Sequence, residues 1–303
     1  MEVLQRKLGE RLLHDEPMAR YTAARLGGNA DWLYIARDSV EELAEVTREA
    51  WQRDIPVTIL GGGANVLVSD CGVRGLVIIN RVSQIQFGEW HDGRTVSATG
   101  GTSLTVFANK CQSNGMSGME WAVSVPGTIG GAVVNNAGAH GGDMAQIVAD
   151  VVVLQPDGAK LYTNADLAYD YRHSLLKARQ DRRFLVLLAT FKLKSDDPQA
   201  IKARMSEFIA HRKRTQPAGA SLGSIFKNPP GDYAGRLIEA AGLKGYQIGQ
   251  VMVSPVHANF FLNTNAQTAT ASDYYALIQH VQQTVYDQSG VKLEMEVQLI
   301  GDW

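Results

Sequence analysis

Two glycine-dense segments hold the residues of this chain best suited to chemistry. The first, Leu60-Gly61-Gly62-Gly63-Ala64-Asn65-Val66-Leu67-Val68, is a strand, a loop nearly without side chains, and a second apolar run. Bare backbone lets N–H groups approach an anion closely, which is how proteins cradle a pyrophosphate. The loop has neither GxGxxG spacing before a helix nor the lysine and serine or threonine of a P-loop, which disfavours Rossmann and Walker readings. For this loop alone a tight structural turn is an equal reading. The second segment runs Ser124-Val125-Pro126-Gly127-Thr128-Ile129-Gly130-Gly131-Ala132 and continues through Asn135-Asn136-Ala137-Gly138-Ala139-His140-Gly141-Gly142. Lining opposite sides of one elongated cofactor, the two would bind a nucleotide or dinucleotide. Glu294 and Glu296 fall on one face of a strand, where a solvated acidic face is the simpler account. The run Arg212-Lys213-Arg214 has the charge to attract a diphosphate, but reads first as compensation of a helix C-terminal dipole.

These segments need elements to hold them. Ser39 and Glu42 form a capping box for a helix to Gln52, with Val40, Leu43, Ala44 and Ala50 at helical spacing. Strands Ile55–Leu60 and Leu76–Ile79 follow. Thr95–Ala98 is a strand, and a helix from Ser103 carries Leu104, Phe107, Ala108 and Cys111 on one face and stops at Gly115. From Gly127 to Gly142 glycines are too frequent for a stable helix or strand core. Val151–Leu154, the Pro156-Asp157-Gly158 turn and Lys160–Thr163 predict a hairpin, and Phe184–Lys194 a long strand. A helix with Pro198 at its first position runs to His211–Arg214. Beyond it the sequence predicts a helix from Asp232 to Ala241, strands around Val251 and Phe260, a helix from Ser272 to Ser289 stopped by Gly290, and a strand from Val291 to Ile300.

At 303 residues, 45% hydrophobic and 20% charged, the chain can hold two or three compact units. A formal net charge of -2 provides no basic field for nucleic acid or an acidic membrane surface, so neither is an expected partner. Cys71 and Cys111 form no CxxC and predict neither a disulfide framework nor zinc, and no His, Cys and carboxylate cluster has metal-ligand spacing. Met1–Leu13 is too charged for a secretory signal, and the longest apolar runs fall far short of the roughly 20 residues that span a bilayer. A cytoplasmic protein is expected.

Taken together, Gly61-Gly62-Gly63-Ala64-Asn65 with Val68-Ser69-Asp70, Val125-Pro126-Gly127-Thr128-Ile129-Gly130-Gly131, and Asn136-Ala137-Gly138-Ala139-His140-Gly141 resemble the FAD-binding signature of UDP-N-acetylenolpyruvoylglucosamine reductases, within the vanillyl-alcohol oxidase-like flavoproteins. The resemblance extends to Arg25–Asp31, Tyr171-Arg172-His173-Ser174, Ser221–Pro229, Ile248-Gly249, His257-Ala258-Asn259-Phe260 and Leu293–Val297, from about residue 20 to the C-terminus in order. Ala64 stands where serine is common and His140 where tyrosine is common. The compact Gly242–Asn259 stretch resembles the type lacking a substrate-covering tyrosine loop.

The resemblance implies an α+β or α/β fold, with a two-part FAD-binding domain and a C-terminal α+β substrate-binding domain. The segments would be 1–78, completed by the strand 297–303, then 79–200 and 201–296. It implies FAD and NADPH, a UDP-sugar enolpyruvyl ether as substrate, a role in peptidoglycan precursor synthesis, and a monomer or weak oligomer. FAD contacts fall to Gly61, Gly62, Gly63, Ala64, Asn65, Pro126, Gly127, Thr128, Gly130, Gly131, Asn136 and Gly138. Hydride addition to an alkene conjugated with a carboxylate drives charge into that carboxylate and leaves the α-carbon needing a proton. The family motifs assign Arg172 to the carboxylate, Ser224 to the proton and Glu296, rather than Glu294, to a protonated hydrogen bond with the carboxylate. Lys227, Asn228, His257 and Asn259 are the substrate-binding candidates. By residue type alone, Arg172 reads as a surface ion pair and Ser224 as a turn or cap residue. Another FAD-dependent sugar or lactone oxidoreductase, or a nucleotide-binding protein without catalysis, are the competing readings.

Overall fold

The computed structural model describes residues 1–90 and 93–303. It divides into two compact units, one of Met1–Leu13, Leu33–Gly62 and Gly75–Arg212, the other of His14–Trp32, Gly63–Arg74 and Lys213–Trp303. A four-stranded sheet has the order Leu12–Pro17, Asn29–Ala36, Val73–Asn80, Val57–Leu60.

In the first unit the Val40–Gln52 helix begins as the sequence predicts, with Ser39 accepting the N–H of Glu42 at 3.0 Å. Only half of the capping box forms. Glu42 instead accepts Arg11 at 2.9 and 2.7 Å and the Tyr34 hydroxyl at 2.8 Å, because a charged partner outcompetes a backbone amide. The Val57–Leu60 strand then pairs in parallel with Leu76–Ile79, which ends it at Gly61. The main sheet is antiparallel, in the order Gly158–Thr163, Val148–Gln155, Leu185–Ser195, Gly93–Thr99, Ile85–Trp90. The predicted hairpin is its first pair, with Val151 opposite Tyr162 and Gln155 opposite Gly158. Val96, Ala98, Val151, Val153, Ala189 and Phe191 pack against Leu104, Phe107 and Cys111 of the Leu104–Ser113 helix. Burial pushes the Cys111 thiol up to about 12, so it packs as an apolar group.

The Pro198–Thr215 helix is tied down by Arg204, which donates to Glu120 at 2.7 Å and to Asp196 at 2.6 Å. Burial raises the Glu120 carboxyl, but hydrogen bonds from Arg204 and Ser117 outweigh it and hold the carboxyl below its ordinary value. A group depressed in this way contributes stability above its unfolded value, and the contribution disappears as pH falls through the folded one. Arg204→Leu should therefore cost about 2 kcal/mol at neutral pH and progressively less in acid. Urea titrations at neutral pH and at a pH below the ordinary carboxylate value test this, and equal losses at both would count against it.

The second unit carries three antiparallel strands, Gln247–Ile248, Val251–Val253 and Phe261–Asn263, with helices Ala234–Ala240 and Ala271–Ser289. Its core gathers Phe226, Ile238, Phe261, Tyr274, Leu277 and Val281. Gly290 closes the long helix in the left-handed region at φ 71, as predicted. The start of that helix is capped from far away, since the Asp70 carboxylate accepts the N–H groups of Ala271 and Ser272, each at 2.8 Å. The predicted strand Val291–Ile300 is shorter. Only Gln298–Ile300 forms a strand, parallel to Val66–Val68, because residues 294–296 pair instead with 225–227.

Candidate active site

The glycines at 61 and 62 are dictated by packing. A Cβ on Gly61 would lie 2.1 Å from Thr128 Oγ1, and one on Gly62 would lie 2.9 Å from the Gly127 Cα. The two glycine segments therefore pack directly against each other at these residues. Gly63 has φ +61, and a Cβ there would meet the Tyr21 carbonyl oxygen at 2.0 Å. Among the described residues, the N–H groups of Gly61, Gly62, Gly63 and Ala64 meet no protein acceptor. Four successive amides of this kind are the donor set an anion requires.

Expected to be irregular, the second segment contains the Ile129–Asn135 helix despite Gly130 and Gly131. Tertiary contact overrides propensity here: Ile129, Ala132 and Val133 are buried, and the close approach of Gly100 leaves only 3.1 Å between its carbonyl oxygen and a Cβ built on Gly130. The first two helical N–H groups, of Ile129 and Gly130, are already engaged by the carbonyls of Thr102 and Gly100 at 2.9 and 2.8 Å. A ligand here must use the Gly127 to Gly131 backbone differently from a simple helix N-terminus. Sequence reasoning passed over Ser124, whose hydroxyl is buried and has no partner among the described residues, just before Pro126. A polar orphan beside a side-chain-free loop fits a ligand with hydroxyl or phosphate groups.

Asn136 is a structural residue of this loop. It sits left-handed at φ 44 as the helix cap, its amide donates to Asp170 at 2.9 Å, and its side-chain oxygen accepts the Ala145 N–H at 2.9 Å. Its backbone carbonyl and that of Gly138 accept Arg172 Nη1 and Nη2 at 3.3 and 2.7 Å. Arg172, itself at φ 54, is therefore no mobile surface cation. The loop proposed to hold a cofactor orients its planar guanidinium.

In the second unit, a short antiparallel pairing gathers the remaining candidates. Phe226 bridges Met295, the Glu296 N–H donates to Ile225 at 2.8 Å, and the Lys227 N–H donates to Glu294 at 2.8 Å. Glu296 is thus opposite Ile225, the residue after Ser224, across paired backbone. Asn65 of the first glycine loop reaches this pairing too, donating to the Glu296 carbonyl at 3.2 Å. Glu294 and Glu296, equivalent by spacing, differ here. Glu294 is exposed and ion-paired with Lys227 Nζ at 2.5 Å, whereas Glu296 is half-buried.

The substrate-binding candidates separate as well. Asn259 is 3% exposed, and its amide engages both the N–H and the carbonyl of Phe226, at 2.9 and 2.8 Å. Its side chain fixes the Ser224 segment through one donor and one acceptor. Asn228 Oδ1 accepts the Ala234 N–H at 3.1 Å, and His257 packs against Gly235, with burial lowering its imidazole's pKa. Lys227 keeps its ammonium on Glu294.

A family model described as an FAD binding domain matches residues 33–163, and one described as the C-terminal domain of UDP-N-acetylenolpyruvoylglucosamine reductase matches residues 215–300. The UDP-N-acetylenolpyruvoylglucosamine reductase of Rubrobacter xylanophilus is 42% identical over 288 residues, covering 95% of each chain. This chain belongs to the UDP-N-acetylenolpyruvoylglucosamine reductase family. A reductase of Bacillus velezensis is 40% identical over 305 residues, 99% of this chain and 97% of that one. The crystal structure of the reductase from Thermus caldophilus superposes with a TM-score of 0.79 at 32% identity, over 96% of this chain and 99% of that one. The fold is therefore the α+β fold of the reductase family. Its FAD-binding match contains both glycine segments, and its reductase C-terminal match contains Ser224 and Glu296. Arg172 lies between the two matches. Among the described residues, no helix is long and apolar enough to cross a membrane.

Proposed function

We propose that this chain reduces UDP-N-acetylenolpyruvoylglucosamine to UDP-N-acetylmuramate with NADPH, through FAD, in the cytoplasmic synthesis of peptidoglycan precursors. The observation that carries the reading is the pairing of residues 225–227 with 294–296, in which Glu296, half-buried, is opposite Ile225, the residue after Ser224, in a segment matched to the reductase C-terminal domain. Bound FAD supplies a hydride acceptor for NADPH and a hydride donor for the substrate. The free amides of Gly61 to Ala64 would hold its pyrophosphate, with Asn65, Pro126, Gly127, Thr128, Gly130, Gly131, Asn136 and Gly138 supplying the remaining wall.

Arg172, oriented by two carbonyls, offers a fixed cation to the substrate carboxylate as charge develops there. Glu296 would share that carboxylate as a hydrogen-bond donor in its protonated form, and Ser224 would deliver a proton to the α-carbon. Lys227, Asn228, His257 and Asn259 would be the substrate-side contacts. A division into 1–78, 79–200 and 201–296, and a monomeric or weakly associating chain, belong to the same reading. Under anaerobic conditions the purified yellow protein should bleach with NADPH and regain its colour on addition of UDP-N-acetylenolpyruvoylglucosamine. Recovery with oxygen alone, and none with the enolpyruvyl ether, would favour an oxidase of the same fold instead.

A further inference from the structure

His140 and Gly141 form a two-residue turn between the short strands Gly138–Ala139 and Gly142–Asp143, with φ +52 and +83. Two successive positive φ values define a type I′ turn, where asparagine is the favoured first residue. A histidine there adds a ring to the turn. The ring stacks on Phe208 at 4.4 Å and 6° and meets the edge of His211 at 5.5 Å and 81°, both on the last turns of the Pro198–Thr215 helix. Beside them lies Arg212, half-buried and without a carboxylate partner among the described residues. Burial lowers its guanidinium's pKa, and the His140 imidazole is lowered by burial and by the nearby His211 and Arg212.

Dipole compensation explains exposed cations at a helix C-terminus, such as Lys213 and Arg214. It does not explain drawing Arg212 out of water beside an imidazole with no carboxylate partner among the described residues, since partner-less burial of charge is costly. We propose that His140, His211 and Arg212 form a binding site for a phosphoryl group of a nucleotide, with the His140–Phe208 stack as its aromatic floor. All three groups are donors when protonated, and Arg212 offers a permanent fork. The hairpin that carries His140 also provides the Gly138 carbonyl that holds Arg172, so an occupied site would brace the proposed catalytic arginine. The phosphoryl group could come from NADPH, from the UDP moiety or from FAD. The nucleotide class rests on the function proposed above, and the test reads binding rather than turnover.

Equilibrium binding of 2′,5′-ADP, UDP and inorganic phosphate to the flavin-loaded chain, with flavin content measured alongside, separates these sources. Arg212→Gln should weaken one of the two nucleotides about tenfold or more, or strip the flavin, and the ligand affected identifies the source. Loss of phosphate binding alone, with both nucleotides and flavin unaffected, would overturn the nucleotide assignment. His140→Asn keeps a residue suited to the turn and should show the same selectivity with an unchanged melting temperature, which guards against a folding defect. Wild-type affinity for all three probes, with full flavin content in both variants, would overturn the site. That outcome would leave reduction by NADPH and reoxidation by the enolpyruvyl ether untouched.

Discussion

Ser224→Ala is expected to leave flavin reduction by NADPH near its wild-type rate while turnover of UDP-N-acetylenolpyruvoylglucosamine falls roughly a thousandfold. Serine is a weak acid in water, so its use as a proton donor depends on position and on a strongly basic carbon acceptor. The structure supplies the position. Gly223 turns through the left-handed region at φ +76, Ser224 bridges Phe260, and the next residue donates its N–H to Asn259 at 2.9 Å. Among the described residues the Ser224 hydroxyl meets no protein acceptor, so its removal breaks no internal bond and should change stability by less than about 0.5 kcal/mol. Stopped-flow measurement of the two half-reactions separates the effects. Enolpyruvyl turnover within a few-fold of wild type would remove Ser224 from the chemistry. Asn259→Leu is the structural contrast, because it breaks both bonds to Phe226 and should lower stability and turnover together.

Gly61→Ala should yield protein with little bound flavin and a fold weakened by about 1–3 kcal/mol, the range typical of overpacking. The added methyl would meet Thr128 Oγ1 at 2.1 Å, and Thr128 cannot retreat. It is 3% exposed, caps the Ile129–Asn135 helix and bridges Ser103. The loop would have to move instead, and with it the amides that line it. Adding Thr128→Gly removes the three atoms the methyl strikes, so the double variant should retain more flavin than the two single losses combined would allow. Flavin absorbance per polypeptide and urea unfolding of all three variants measure this. Wild-type flavin content and stability in Gly61→Ala alone would show that the contact is not a constraint.

Local order was largely readable from residue spacing. The capped Val40–Gln52 helix, the Val148–Gln155 and Gly158–Thr163 hairpin, the Pro198–Thr215 helix and the Gly290 stop all depend on neighbours within a few positions. Where a reading failed, a distant partner had intervened. Arg11 draws Glu42 away from the capping box across 31 residues. The glycine-rich Ile129–Asn135 segment becomes a helix because Gly100 and the buried core fit only that backbone.

The same distinction runs through the site. By itself the sequence determined the chemical types: two loops without side chains, an arginine, a serine, paired glutamates, and the family they jointly resemble. Only the tertiary structure decided which loop amides lack partners, that Glu294 pairs with Lys227 across 67 residues while Glu296 pairs with Ile225, and that His140 stacks against the helix that carries Arg212. Hydrogen-bond and charge partners are fixed by distance in space, and residue type and spacing encode that distance only within a turn or two of chain.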